Sequence, residues 1–150
     1  MSTTTPTSLA TQVYRIFIKA TPEQIWDAST KPEFTARYFH GARITVTPDR
    51  YDSRSADGDV WGDSAVEVFD PPRKLVHGWR SLYDPGMAAE DESRVTWEIE
   101  EDEGGVCLLT VTHDRLEGAP KTAEGVSGTG WTGVISALKT LLETGKPLYG

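Results

Sequence analysis

Two adjacent prolines, Pro71 and Pro72, constrain this chain more than any other pair of residues. Each lacks an N–H and holds φ at about −65°, so neither fits inside a central strand. They separate a run of alternating pattern, Ala65 to Phe69, from a second one, Leu75 to Trp79. The segment reads as strand, Pro-Pro turn, strand, with the two strands paired antiparallel. By the period-two rule Leu75, His77 and Trp79 share one face of the second strand. That face is apolar with one imidazole in it, the composition of a small-molecule cavity wall.

The rest of the chain supplies a sheet around this hairpin. Val13 to Lys19 alternates as an opening strand, with Val13, Arg15, Phe17 and Lys19 on one face and Tyr14, Ile16 and Ile18 on the other. Thr21-Pro22-Glu23-Gln24 and Thr30-Lys31-Pro32-Glu33 both carry capping-box spacing. They predict helices over about 22–28 and about 31–37, with Ile25, Trp26 and Phe34 turned inward. From Ala42 to Asp114 the pattern is strand: Ile44–Thr47, Val60-Trp61, Ala65–Phe69, Leu75–Trp79, Val95–Glu101 and Val106–His113. Asp84 to Glu92 reads as an exposed, mobile acidic loop. One helix closes the chain, with Trp131, Val134, Ile135, Leu138, Leu141 and Leu142 on a single apolar stripe and Gly145 and Pro147 ending it. Gly125, Gly128, Gly130 and Gly133 leave its start open.

So many strands outnumber what one helix can cover if the sheet stays flat. A strongly curved antiparallel sheet gripping the terminal helix covers both, with the two small helices closing one end. The fold class is therefore α+β, a single domain over residues 12–146 behind a disordered leader at residues 1–11. The leader is Ser/Thr-rich, without a basic or an apolar region, and no apolar run is long enough to cross a bilayer. A cytoplasmic protein follows. The net charge of −8 opposes nucleic-acid phosphates and anionic membrane surfaces, so neither nucleic-acid binding nor membrane insertion is expected. The single cysteine, Cys107, excludes an intramolecular disulfide and a cysteine-based zinc cluster, and reads as a small buried hydrophobe.

The order and spacing of several segments, spread from Val13 to Glu143, resemble a known family. The segments are Ala20-Thr21-Pro22-Glu23-Gln24-Ile25-Trp26, Thr30-Lys31-Pro32-Glu33, and Val66 to Leu75 with Trp79. Val95-Thr96-Trp97, Leu109 to His113, Gly130-Trp131, Leu138-Lys139 and Leu142-Glu143 complete the set. The chain resembles the START-like superfamily, also called SRPBCC or birch-pollen-allergen-like. Within it the likeness is to the branch of the activator of heat-shock-protein-90 ATPase homologues. The resemblance implies a helix-grip fold with a cavity between sheet and terminal helix. It also implies binding of lipids, sterols, polyketides or other apolar molecules, and in a minority of members cyclase or hydratase activity. Where the family has a paired-glycine segment this chain has Ser55 to Gly62, which leaves the pairing of residues 51–62 open.

Parity assigns the cavity wall. Val66 and Val68, Leu75, His77 and Trp79, Val95, Trp97 and Ile99, and Leu109, Val111 and His113 form four apolar stripes, met by Trp131 and Ile135 of the terminal helix. Any one of these residues alone is most simply core packing, but three tryptophans converging with two histidines favour a lined pocket. His77 and His113 are the ionisable groups on the inner stripes, either satisfied within the core or able to meet a ligand oxygen. No carboxylate is spaced to orient them, no nucleophile is marked, and two histidines without a third ligand make a poor metal site. His40 belongs to an exposed loop. Gly125 to Gly130 lacks the features of a phosphate loop, and Asp57-Gly58-Asp59 those of a calcium loop. The reading is a carrier or sensor of a small hydrophobic ligand of lipid, polyketide or aromatic type, with no cofactor and with a homodimer left open. Two alternatives stand beside it: a cyclase or hydratase using His77 or His113 with Tyr38 or Tyr83, and a chaperone-associated interaction module.

Overall fold

The computed structural model describes residues 10–127 and 129–148. The leader expected over residues 1–11 lies outside them up to residue 9, and the carbonyl of Ala10 accepts the Leu116 N–H at 3.3 Å.

Seven strands form one antiparallel sheet: β1 (Gln12–Ile18), β2 (Arg43–Val46), β3 (Arg50–Arg54), β4 (Val60–Asp70), β5 (Lys74–Trp79), β6 (Ser93–Glu101) and β7 (Cys107–Asp114). Their order is β1-β7-β6-β5-β4-β3-β2, so β2 to β7 meander and β1 returns to pair with β7. Helices α1 (Pro22–Thr30) and α2 (Pro32–Thr35) join β1 to β2, α3 (Pro85–Ala88) lies between β5 and β6, and α4 (Pro120–Val126) and α5 (Thr129–Thr144) follow β7. This is the helix-grip α+β architecture, and the Pro71–Pro72 bond, which is cis, makes the β4–β5 turn. Trp131, Val134, Ile135, Leu138 and Leu141 of α5 share one core with Leu75, Val95, Trp97, Leu109 and Val111 of the sheet. None of the described helices is long and apolar enough to cross a membrane.

The first helix starts where its cap dictates. Thr21 Oγ1 accepts the Gln24 N–H at 3.1 Å and the Gln24 side chain accepts the Thr21 N–H at 2.9 Å. The second helix is shorter than expected, ending at Thr35 instead of running to 37. The reason is local. Thr35 Oγ1 donates to Ala42 O and accepts the Ile44 N–H, both at 2.9 Å, which draws the start of β2 against the helix end. His40 (φ 54°) and Gly41 (φ 77°) turn the chain in the left-handed region to allow this. Tyr38 and Phe39 are thereby buried, while Phe34 is only half-buried.

Of the segment whose pairing was left open, residues 51–62, the first part belongs to β3, a full strand paired on both sides with β2 and β4. Three further expectations are corrected. The two runs Val60-Trp61 and Ala65–Phe69 are one strand, β4, interrupted by a register shift between Val66 and Val68. Residues 84–92 are not a bare loop, because α3 forms there and Glu90 accepts the backbone N–H groups of Lys121 (2.7 Å) and Thr122 (2.9 Å). The single closing helix is two. Ser127 is extended between them (ψ 175°), and α5 begins so close to α4 that a Cβ on Gly130 would stand 2.9 Å from Gly125 O. Gly128, one of the glycines noted in the sequence, lies outside the described residues.

Candidate functional site

A cavity of about 360 Å³ lies between the first turns of α5, the end of α4 and the β3–β4–β5 part of the sheet. Each element presents its wall for a reason visible in the chain. Strand β3 alternates Arg50, Asp52 and Arg54 outward with Tyr51 and Ser53 inward, so Tyr51 reaches the cavity. The turn after α2 inserts Phe39, and β5 ends in Trp79, with Arg80 directly after it. From the helices come Val126, Trp131 and Val134, and Trp61 with Tyr83 closes the outer side, their rings 6.1 Å apart. Trp79 is the hub: its ring lies 5.6 Å from Trp131, 6.1 Å from Tyr51 and 6.3 Å from Phe39, all tilted. The lining is predominantly apolar and aromatic, as ligand cavities are.

Beneath the cavity the core is filled. Trp97 Nε1–H donates to His77 Nε2, and Trp131 Nε1–H donates to His113 Nδ1, each at 3.0 Å. These bonds assign the tautomers, because the accepting nitrogen carries no proton. His77 Nδ1–H then donates to Gly78 O at 2.7 Å, and His113 Nε2–H to Ser93 Oγ at 2.7 Å. Ser93 Oγ in turn donates to Trp79 O at 3.2 Å. Burial lowers the pKa of His77 to about 4, against the pull of the Gly78 carbonyl bond. Burial, and then the nearby His77, lowers that of His113 to about 3. Both imidazoles are neutral with every ring nitrogen engaged.

The polar groups of the cavity wall are differently placed. Arg80 Nη1 donates to Ala88 O at 3.0 Å and to Glu90 O, tying β5 to the α3 segment. Asp63 pairs with Arg50 across β3 and β4, with Arg50 Nε donating at 3.0 Å. Ser64 Oγ donates to Glu92 Oε2 at 2.9 Å, and the Glu92 carboxyl lies where a Cβ on Gly78 would stand 2.6 Å from its carbon. Two residues of the lining, Tyr51 and Trp79, carry a fully buried donor with no hydrogen-bond partner among the described residues, Oη and Nε1. Burial, and then the neighbouring Tyr38, raises the Tyr51 pKa well above its ordinary value, so the group is a neutral hydroxyl.

Of the residues expected to line the site, Trp79 and Trp131 do so. Leu75, His77, Val95, Trp97, Leu109, Val111, His113 and Ile135 are buried in the packed core below the cavity, and Val66 is half-buried against that core. Val68 is 39% exposed and faces out. The register shift at Glu67 reverses parity along β4, so Phe69 takes the inward position and meets Trp26 edge-on at 5.3 Å. His77 is not free to anchor a ligand, both nitrogens being engaged and its ring stacked on Tyr51 at 3.7 Å. Tyr38 Oη is likewise engaged, donating to Ala28 O at 2.7 Å, so of the four groups considered for acid–base work Tyr83 alone lines the cavity. His40, expected on an exposed loop, is exposed and also borders the cavity. Tyr51, Phe39, Trp61 and Val134 were not expected there; the signal for Tyr51 was the alternation of Arg50 to Arg54, masked by its three charges.

A family model described as "Activator of Hsp90 ATPase homolog 1-like protein" matches residues 19–143. No curated protein matches the chain. Among solved structures, MLL2253 from Mesorhizobium loti is 23% identical with a TM-score of 0.71, over 89% of this chain and 96% of that one. DynU16, a protein in the dynemicin biosynthetic locus, is 23% identical with a TM-score of 0.72, over 92% of this chain and 49% of that one. The Aha1 dimer from Colwellia psychrerythraea is 19% identical with a TM-score of 0.70, over 91% of this chain and 98% of that one. At these identities the likeness is one of fold.

Proposed function

The chain belongs to the family of activator of Hsp90 ATPase homolog 1-like proteins, and from that premise we propose that it binds a small hydrophobic molecule in the cavity between sheet and α5, as a carrier or sensor. One observation carries the reading. The aromatic hollow of about 360 Å³ sits directly above a core that is filled and fully hydrogen-bonded around both histidines. The volume lies at the small end of the range for ligand sites, roughly 300–1,000 Å³, and suits one compact ring system. Lining by aromatic faces and edges favours a flat guest, because offset and edge-on ring contacts add to apolar burial. The DynU16 protein, from a dynemicin biosynthetic locus, shares this fold and makes a polyketide or aromatic guest the natural class to try first.

The test is equilibrium dialysis of the purified chain against fluorene, with native mass spectrometry of protein from its own host. Saturable uptake at one fluorene per chain, together with a co-purifying small molecule, is the expected result. Non-saturating uptake and a bare protein mass would sink the reading.

A second reading is favoured by one feature. Val13 and Phe17 on edge strand β1 are 52% and 51% exposed, an apolar pair suited to a protein partner, and the Colwellia relative was solved as a dimer. Phe17→Ser abolishing association with a heat-shock-protein-90-type ATPase, or with a second copy, while fluorene uptake persists would establish it beside the first.

A further inference from the structure

Neither His113 nor Ser93 lines the cavity, yet together they join the two tryptophans that do. Both are buried, at 0% and 3% exposure. A chain of hydrogen bonds runs from one cavity wall to the other. Trp131 Nε1–H of α5 donates to His113 Nδ1 of β7 at 3.0 Å, and His113 Nε2–H donates to Ser93 Oγ of β6 at 2.7 Å. Ser93 Oγ–H then donates to Trp79 O of β5 at 3.2 Å. The His113 ring also stands edge-on to both indoles, 6.0 Å from Trp131 and 5.6 Å from Trp79. On the other side of Trp79, His77 donates Nδ1–H to Gly78 O at 2.7 Å and stacks on Tyr51 at 3.7 Å.

Both tryptophans stand where their own elements hold them least. Trp131 is in the first turn of α5, just past the extended Ser127, where a helix has the fewest bonds of its own. Trp79 is the last residue of β5, and its pairing with Ser93 is the last rung of the β5–β6 ladder. Apolar side chains at positions 93 and 113 would fill the same space. A buried polar network with every member satisfied does more, because it selects one arrangement of the groups it joins. We propose that His113 and Ser93 are positioning residues of the cavity, fixing Trp131 against Trp79 so that the site favours flat ring systems over twisted ones of equal size. The proposal rests on the reading of the cavity as an apolar-ligand site and adds what sets its shape selectivity. A preorganised slot discriminates in this way because a guest of the wrong shape must disturb the bonds that hold the walls.

Equilibrium dialysis compares fluorene with diphenylmethane, which has the same number of carbons but lacks the bond that holds the two benzene rings coplanar. The variants are Ser93→Ala, His113→Leu and His113→Asn. Wild type should favour fluorene, and the ratio of the two Kd values should fall about fivefold in His113→Leu, the effect of one hydrogen bond. Ser93→Ala keeps the imidazole–indole bond and frees only Trp79 O, so it should lower the ratio less. His113→Asn, whose side-chain oxygen can replace Nδ1 as the acceptor, should recover part of what His113→Leu loses. The Trp131 indole N–H resonance should move in His113→Leu, return toward wild type in His113→Asn and hold its place in Ser93→Ala. Every variant should melt lower whichever role the network has, so the ratio decides and Tm does not. Ser93→Ala carries the test if His113→Leu fails to fold. Equal weakening of both probes, or no preference for fluorene in wild type, overturns the positioning role and leaves the apolar site standing. If neither probe binds wild type, the apolar site falls and the positioning role with it.

Discussion

His77 and His113 show what a single buried residue can and cannot do here. Each accepts an indole N–H, so each must stay unprotonated on that nitrogen: Nε2 in His77 and Nδ1 in His113. A proton added there would face an indole N–H instead of a lone pair. With burial as the main cause, the folded-state pKa values of about 4 and about 3 lie below the ordinary unfolded value of about 6.5. The sign follows from proton counting. Below about pH 6.5 the unfolded chain takes up protons that the native chain refuses, so stability is complete above that pH and falls as pH drops toward the folded values. Between pH 7 and pH 5 the loss is roughly 2 kcal/mol for each histidine, which urea titrations at the two pH values would register as a lowered midpoint. Nitrogen NMR should show two neutral imidazoles of opposite tautomer down to pH 5. An imidazolium signal from either at pH 6 would break the argument. These residues were legible in the sequence as inward-facing, but not as engaged. Alternation says which face a side chain takes, and nothing in it says that Trp97 and Trp131 hold the imidazoles while Trp79 is left facing the hollow.

At the scale of elements, the helix starts and most strands were readable because their signals are local. The cap at Thr21 and the proline at Pro32 sit within one turn of what they start, and β6 alternates buried with half-buried residues from Ser93 to Ile99. Strand β3 was hidden by Arg50, Asp52 and Arg54, whose charges lower its apparent strand character although its inward residues are Tyr51 and Ser53. Strand β4 was misread past its midpoint because a bulge is set by pairing with β5, which no single strand's pattern reveals. The bulge makes a sharp prediction. Val68→Thr, on the outward face, should lie within about 0.5 kcal/mol of wild type. Phe69→Ala, which deletes the ring against Trp26, should cost about 3–5 kcal/mol if the site cannot collapse, and less in proportion to its partial exposure. Urea midpoints measure both, and a larger loss for Val68→Thr would restore unbroken parity along β4.

The whole molecule separates stability from binding along the axis of α5. Toward its C-terminal end Leu138 and Leu141 are fully packed in the core, at 0% and 4% exposure. Lys139 ties the same stretch to the edge strand, Nζ donating to Phe17 O at 2.8 Å. Toward its N-terminal end, Trp131 and Val134 face the hollow, with Val126 of α4 beside them. The location of that hollow was not legible from the stripe alone. Trp131 and Leu138 carry the same helical phase, and only the break at Ser127 and the arrival of Phe39 and Tyr51 leave space at one end. Two substitutions should therefore act in opposite ways. Leu138→Ala should cost about 2–5 kcal/mol by opening a void in a packed region, yet keep the ligand response. Val126→Trp should leave the ligand-free melting temperature close to wild type, because it extends into open space, and abolish that response. The response itself follows from mass action: a guest present at a hundredfold excess over its Kd stabilises the native state by about 2.7 kcal/mol. For a chain of this size that raises Tm by roughly 5–10 °C. Calorimetry of wild type and both variants, with and without fluorene, reads all four quantities. A fluorene shift surviving in Val126→Trp, or lost in a folded Leu138→Ala, would place the guest somewhere other than the hollow beneath α4 and the first turns of α5.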